Sequence, residues 1–431
     1  MTLNYKGLGL KVGLEVHQEL ATSHKLFCSC PPQLFRDEPE YTFLRRLRPT
    51  QSELGEVDPA ALFEFQQGKT LLYEASRETD CLVEMDEEPP GPLNFEAVEI
   101  CLTSALMVGS RPVDEIHVMR KTVIDGSNTT GFQRTCVVAL GGEITVDGKK
   151  VEIEQICLEE DAARKIAESG TLHHYRIDRL GIPLVELSTA PVIESPEEAR
   201  GVALAIGRLL RATERVRRGL GTIRQDVNIS LREGALMEIK GVQQLDLVSK
   251  VVEFEVQRQM RLLDIREELR KRGLNKDKLE EKFFDVTQVF RDTRCQILKN
   301  SVKKGSRIYA LRLPSFAGLL GRELCPERRL GTEMADRAKF WGGVGGIFHT
   351  DELPNYGITE EEVENLRKEV GAGEDDAVVL VSSEPQKSKD ALRAVLERAS
   401  EAIDGIPSET RGPNPDGTTH YMRPRPGAAR M

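Results

Sequence analysis

The sequence has no apolar run approaching the ~18 residues of a membrane-spanning helix. Its opening, Met1 to Leu10, lacks the basic-then-apolar order of a secretory leader. Both absences predict a chain that is neither secreted nor inserted in a bilayer. Cysteine is sparse, with eight in 431 residues, and Cys101, Cys136 and Cys157 lie inside apolar stretches. Such thiols are expected to be reduced, in a cytoplasmic compartment. An excess of positive charge is missing too, since the formal net charge is −10. That argues against a general nucleic-acid coat protein. The local group Arg208, Arg211, Arg215, Arg217 and Arg218 reads first as a solvated helix face, with an RNA-binding patch as the alternative, since partners meet local patches rather than totals. No repeat of roughly 20–50 residues is present, which removes solenoids and propellers.

Common catalytic signatures are absent as well. Gly68-Lys69-Thr70 has the closing letters of a phosphate-binding P-loop, but Phe63 stands where its first glycine is required. Neither H-E-x-x-H nor G-x-S-x-G occurs. The glycines at 342–346 lack G-x-G-x-x-G spacing and no strand leads into them, so they read as turn chemistry. Cys28 and Cys30 have no C-x-x-C partner nearby, which predicts a structural thiol pair rather than a closed zinc site.

What is present is a globular balance, 39% hydrophobic and 30% charged residues, in a chain long enough for about two or three domains. The first ~250 residues read mostly as strands and short loops. A helix is expected over 197–218, started by Ser195-Pro196, with Val202, Ile206, Leu209 and Leu210 as its apolar stripe. A second is expected over 245–272, with Leu247, Val251, Phe254, Met260 and Leu263 inward and the charged residues outward. Beyond about residue 283 strands (286–290, 307–313, 377–382) alternate with helices (332–341, 359–370, 388–403), an α/β segment of its own. The segment from Pro413 to Arg430, rich in Pro, Gly and Arg, reads like a chain cut in mid-course.

Three groups of residues could carry chemistry. In 11–20, Val12, Leu14 and Val16 alternate with Glu15, His17 and Glu19, so a strand puts the polar set on one face. Side chains at i and i+2 stand about 7 Å apart, within reach of a shared cation, although these ten residues alone read first as a strand with an ordinary solvated outer face. The second group is Glu159-Glu160-Asp161, three adjacent carboxylates that need water, a cation or a base. Equally, they read as an exposed turn into a helix starting near Ala162. The third is a hairpin in which Asp226, Asn228, Glu238 and Lys240 share a polar face, turning at Glu233-Gly234-Ala235. Carboxylates with one histidine and an amide suit Mg²⁺ or Mn²⁺, and a lysine beside them could meet a phosphate.

These stretches resemble, in order, the B/E family of tRNA-dependent amidotransferases. The matching text is KVGLEVHQEL at 11–20, LFCSC at 26–30, LEED at 158–161, DRLGIPLVE at 178–186, IRQDVNISL at 223–231 and EIKG at 238–241. RKTVIDGSNTTGFQR at 120–134 is similar to the archaeal E branch of that family. Residues 283–403, including GLLGR at 318–322, resemble a domain of bacterial-type aspartyl-tRNA synthetases. The resemblance implies an α+β fold. It has an antiparallel sheet-based cradle domain with flanking helices at 1–282, the inserted α/β domain at 283–403 and a return segment at 404–431, with further C-terminal domains missing. It also implies a reaction: ATP and Mg²⁺ serve to phosphorylate the side-chain carboxylate of glutamate carried on tRNA(Gln), and ammonia then displaces the phosphate. The ammonia would come from a glutaminase partner, the amidotransferase D subunit, in a heteromeric complex. On this reading the metal residues are Glu15, His17, Glu159, Glu160, Asp226 and Glu238. Glu15, His17, Glu160, Glu238 and Lys240 are catalytic, and Lys121, Ser127, Asn128, Gln133 and Asn228 touch ATP or the aminoacyl end. The alternative is a non-catalytic scaffold that docks tRNA and the glutaminase partner.

Overall fold

In a computed structural model the described residues are 3–48, 65, 68–169 and 171–425. The fold is mixed α+β, and the chain divides into two compact units. One holds residues 11–228, 240–249 and 423–431; the other holds 1–10, 229–239 and 250–422. The chain passes between them after Leu10, within the strands Ile223–Ser230 and Met237–Val242, within the helix Leu245–Lys271 and within the strand Thr419–Pro424.

The first unit is built on a sheet in which Arg111–Pro112, Phe132–Leu140, Lys149–Glu160, Pro183–Thr189 and Lys11–Glu19 run side by side and antiparallel, followed by Ile223–Ser230. Helix Pro196–Ala212 packs on Lys11–Glu19, and helix Phe95–Met107 packs on Phe132–Leu140 and Lys149–Glu160. The Pro196 helix starts as its sequence dictates, with Pro196 in the first turn and the Ser195 hydroxyl accepting from the Glu198 N–H at 3.2 Å. It ends at Ala212, short of the expected 218. The Thr213 hydroxyl donates to Leu210 O (2.7 Å) and Glu214 takes a left-handed conformation (φ 58°). A smaller sheet, Tyr41–Arg45, Thr70–Ala75, Leu172–Arg176 and Arg164–Ser169, holds the loop 124–131. The hydroxyls of Tyr73 and Tyr175 donate to Gly126 O (2.6 Å) and Asp125 O (2.8 Å).

No helix begins at Ala162. The Ala163 N–H donates to Ser127 O (2.8 Å), and the strand Arg164–Ser169 follows. Nor are Glu159, Glu160 and Asp161 exposed, because each is buried against cationic or hydroxyl partners.

The second unit contains an antiparallel sheet, Phe283–Asp285, Arg307–Leu313, Ala377–Ser383 and Phe348–His349. The strand expected at 286–290 is instead a short 3₁₀ turn, Thr287–Phe290. The Asp285 carboxylate accepts from both the N–H (3.1 Å) and the hydroxyl of Thr287, which bends the chain out of the sheet. Helix Leu245–Lys271 is rotated from the expected orientation. Val248, Val251, Val252, Val256, Leu262, Ile265 and Leu269 are buried, and so are Glu255, Arg258 and Gln259.

Helices Leu330–Gly342 and Pro385–Asp404 cross closely at Gly342. A Cβ there would lie 2.5 Å from Ala391 Cβ and 2.7 Å from its backbone N. Gly342→Ala is therefore expected to cost about 1–3 kcal/mol, read as a lower denaturant midpoint. Gly345→Ala, where nothing lies within 4 Å, should leave it in place.

Candidate active site

Strand Lys11–Glu19 alternates as its sequence requires, but its polar face is not a wet one. His17 and Glu19 are buried and Glu15 is partly so. Register places His17 opposite Glu186 of Pro183–Thr189, and His17 Nε2 meets Glu186 Oε2 at 3.0 Å. Glu159 lies 3.8 Å from the same nitrogen. One ligand atom each from His17, Glu159 and Glu186 lies within 4.8 Å of the others. Lys121 and Gln133 are register partners, so both point to Glu159. Lys121 Nζ is 3.5 Å from Glu159 and 3.9 Å from Glu186, and Gln133 Nε2 donates to Glu159 Oε2 at 3.1 Å. Thr135, opposite Glu159, donates its hydroxyl to Oε1 at 2.8 Å.

The electrostatics follow from this packing. Burial pushes the Glu186 carboxyl up, but the hydrogen bond and charge of His17, with Lys121 and Lys240, outweigh it and hold it at about 2. Burial works against the His17 imidazolium, yet Glu186, Asp226 and Glu159 raise its pKa. His17 Nδ1 is buried without a hydrogen-bond partner. Two carboxylates and the His17 imidazole, one ligand atom of each within 4.8 Å of the others, form a donor set that fits a hard divalent cation, which would require the neutral ring.

Consecutive strand residues face opposite ways, so Glu160 leaves this group. Both its oxygens meet Arg134, whose N–H donates at 2.9 Å and whose guanidinium approaches to 3.1 Å. Burial nevertheless raises the Glu160 pKa. Asp161 is held by Arg224 (2.9 Å) and Arg179 (3.7 Å). Near them, burial and the Asp161 charge push Glu19 up to about 7 although Arg217 lies at 3.1 Å.

Glu15 and Asn228 are joined, the amide donating at 3.0 Å. Asp226 accepts from Lys240 Nζ (2.7 Å) and the Gly241 N–H (2.8 Å). Burial opposes the Asp226 charge, but Lys240 and His17 hold the carboxyl far below its usual range. Glu238 belongs to the other unit, where its carboxylate accepts from the Thr410 hydroxyl at 2.9 Å. Ser127 turns its hydroxyl onto Asp125 (2.7 Å). Asn128 is buried, and neither of its amide atoms has a partner among the described residues. An orphaned buried amide in the loop between the strands Met119–Thr122 and Phe132–Leu140 fits a ligand contact.

Residues 10–431 match the model of the GatB/GatE catalytic domain. The chain is 56% identical over 431 residues to the E subunit of the glutamyl-tRNA(Gln) amidotransferase of Aeropyrum pernix, spanning 100% of this chain and 67% of that one. It is likewise 56% identical over 432 residues to the protein of that name from Methanocaldococcus jannaschii, of which it covers 68%. The one from Pyrococcus horikoshii is 55% identical over 428 residues. The chain belongs to the GatB/GatE family.

Within this GatB/GatE catalytic domain, Glu186 and Thr135 are the site residues that sequence reasoning did not single out. Glu186 had a signal, being a lone charge in the apolar run Ile182-Pro-Leu-Val-Glu-Leu187. Thr135 had none, because only strand pairing places it against Glu159. Of the basic group near 208–218, Arg217 is tied to Glu19 and Arg215 to Glu96 (3.3 Å), which makes them partly structural.

Proposed function

We propose that this chain catalyses ATP-dependent amidation of glutamate on tRNA(Gln), as the kinase and transamidase part of an amidotransferase whose ammonia comes from a separate glutaminase polypeptide. The supporting observation is the buried His17–Glu159–Glu186 group with Lys121 at its edge, in a chain of this family. A carboxylate is a poor acylating agent, so one of its oxygens must first attack the γ-phosphorus of ATP, with ADP leaving. Ammonia then attacks the acyl carbon of the mixed anhydride, phosphate leaves and a proton is lost. Bound Mg²⁺ would neutralise charge on the transferring phosphoryl group.

His17, Glu159 and Glu186 would hold one cation. Glu15 and Asp226, with Glu238 assigned by family resemblance, are the second acidic set. Lys121 and Lys240 each already face carboxylates and are placed to exchange them for phosphate oxygens. Asn128, Gln133, Asn228 and Ser127 are the orienting groups. Glu160 keeps Arg134 in place rather than touching the reacting atoms. The finer fold assignment, a cradle with an inserted aspartyl-synthetase-like domain at 283–403, is part of the same proposal, as is pairing with the glutaminase of the complex.

The test supplies ammonium chloride in place of the glutaminase. The chain, Glu-tRNA(Gln), ATP and Mg²⁺ should yield Gln-tRNA(Gln) and ADP in equal amounts, and calorimetry should show ATP binding that requires Mg²⁺ and is lost in Glu238→Gln. Binding of tRNA with neither product would favour the scaffold reading instead.

A further inference from the structure

We propose, on the amidotransferase reading above, that Tyr73 and Tyr175 are positioning residues that act on ATP binding through the loop 124–131. The two stand opposite each other on the parallel strands Thr70–Ala75 and Leu172–Arg176. Both rings are buried, Tyr73 completely. The Tyr73 hydroxyl donates to Gly126 O at 2.6 Å and the Tyr175 hydroxyl to Asp125 O at 2.8 Å. Two facing register positions thus serve two consecutive carbonyls of one loop.

The rings need no hydroxyls for their packing. Phe43, opposite Tyr73 on the next strand, stacks on it with centroids 5.2 Å apart, and the Tyr175 ring lies 5.9 Å away. Phenylalanine would fill the same row. A phenol in such a core costs free energy unless its O–H is bonded, and here both bonds go to irregular backbone. The next two carbonyls are tied as well. Ser127 O accepts from the Ala163 N–H (2.8 Å) and Asn128 O from the Gly131 N–H (3.0 Å). The Thr129 hydroxyl donates to Glu84 O at 2.6 Å. Only glycine allows the approach at 126, where φ is 84° and a Cβ would lie 2.6 Å from Leu71 Cδ1.

Within this tied loop the Asn128 side chain is the exception. It is 1% exposed, and neither amide atom has a partner among the described residues. Bonded carbonyls from Asp125 to Asn128 around one unpaired amide hold that amide ready for a ligand. The loop also closes the ribbon of Met119–Thr122 and Phe132–Leu140. The pairs nearest the loop are Thr122 with Phe132 and Lys121 with Gln133. Lys121 and Gln133 lie 3.5 and 3.1 Å from Glu159. A loop that drifts therefore carries with it the lysine assigned to the phosphates, which makes ATP the substrate affected.

The test replaces each tyrosine by phenylalanine in the 431-residue chain and follows Gln-tRNA(Gln) formation from ammonium chloride, ATP, Mg²⁺ and Glu-tRNA(Gln). Tyr73→Phe and Tyr175→Phe should each raise the KM for ATP about 3- to 10-fold, the worth of one hydrogen bond. The KM for Glu-tRNA(Gln) should stay within about twofold. Asn128→Ala should raise the same ATP KM. Adding Tyr73→Phe to it should raise the KM by less than the product of the two single factors, because both act on one loop. Amide exchange across 124–131 should quicken in both tyrosine variants. Phe43→Leu, which alters the packing and keeps both hydroxyls, should lower the thermal midpoint and leave the ATP KM in place. An active parent whose tyrosine variants keep its ATP KM would overturn this assignment and leave the amidotransferase reading standing. So would a KM raised equally by Phe43→Leu, since packing alone would then explain it. A parent that forms no Gln-tRNA(Gln) would overturn both.

Discussion

Glu186→Gln is expected to lower the rate of Gln-tRNA(Gln) formation by about 100-fold or more and to raise the Mg²⁺ concentration needed for half-maximal rate. The substitution keeps the shape of the side chain and its strand, so Pro183–Thr189 should still pair with both neighbours. What it removes is a carboxylate held at about 2, one of two anions facing His17 Nε2. An amide can still accept from the imidazole, so ring orientation survives while the negative charge is lost. Loss of one carboxylate also frees Lys121 to lean on Glu159 alone, 3.5 Å away. The KM for Glu-tRNA(Gln) should change little, because the reach of the tRNA does not depend on this charge. Unchanged rate and unchanged Mg²⁺ demand in Glu186→Gln would remove the His17–Glu159–Glu186 group from the mechanism.

The legible part of this site is the part set by strand period. Glu15 and His17 could be placed from alternation in 11–19 alone, and so could the shared face of Asp226 and Asn228. Pairing between distant strands is not written in that period. Of Glu159 and Glu160, the sequence cannot say which meets His17. The answer comes from Thr135 standing opposite Glu159 and Arg134 holding Glu160. Local hydrogen-bonding chemistry explains the misplaced ends. Asp285 competes with the ladder for Thr287, and Thr213 stops its helix by bonding back to Leu210. For helix Leu245–Lys271 the assumption that charge points outward failed, since Glu255 and Arg258 lie on the buried face.

That buried face leads to the largest expected effect on stability. In the second unit, Glu333 is met by Arg258, Arg398 (2.7 Å) and Arg411 (3.5 Å). Glu409 is met by Arg411, Arg258 (3.1 Å) and Arg337 (2.6 Å). Glu255 and Glu401 complete the balance at 2.9 Å from Arg258 and Arg337. The network joins three helices to the strand Glu409–Pro413. Burial alone would raise the Glu333 pKa, but Arg258, Arg411 and Arg398 hold it well below the usual range. Glu333→Gln should therefore cost about 3–5 kcal/mol, because three buried guanidinium groups lose their shared anion. It should lower the thermal midpoint by roughly 2–4 °C for each kcal/mol. A group whose folded pKa is depressed contributes stability above its unfolded pKa, near 4.3, and loses it as pH falls toward the folded value. The parent's midpoint should thus fall as pH drops below about 4.3, while Glu333→Gln lacks that part of the acid loss. Adding Arg398→Met to Glu333→Gln should recover part of the cost, since one stranded cation is removed. Additive losses in the double variant, with an unchanged acid limb, would show that Glu333 is held by packing and that its charge contributes nothing.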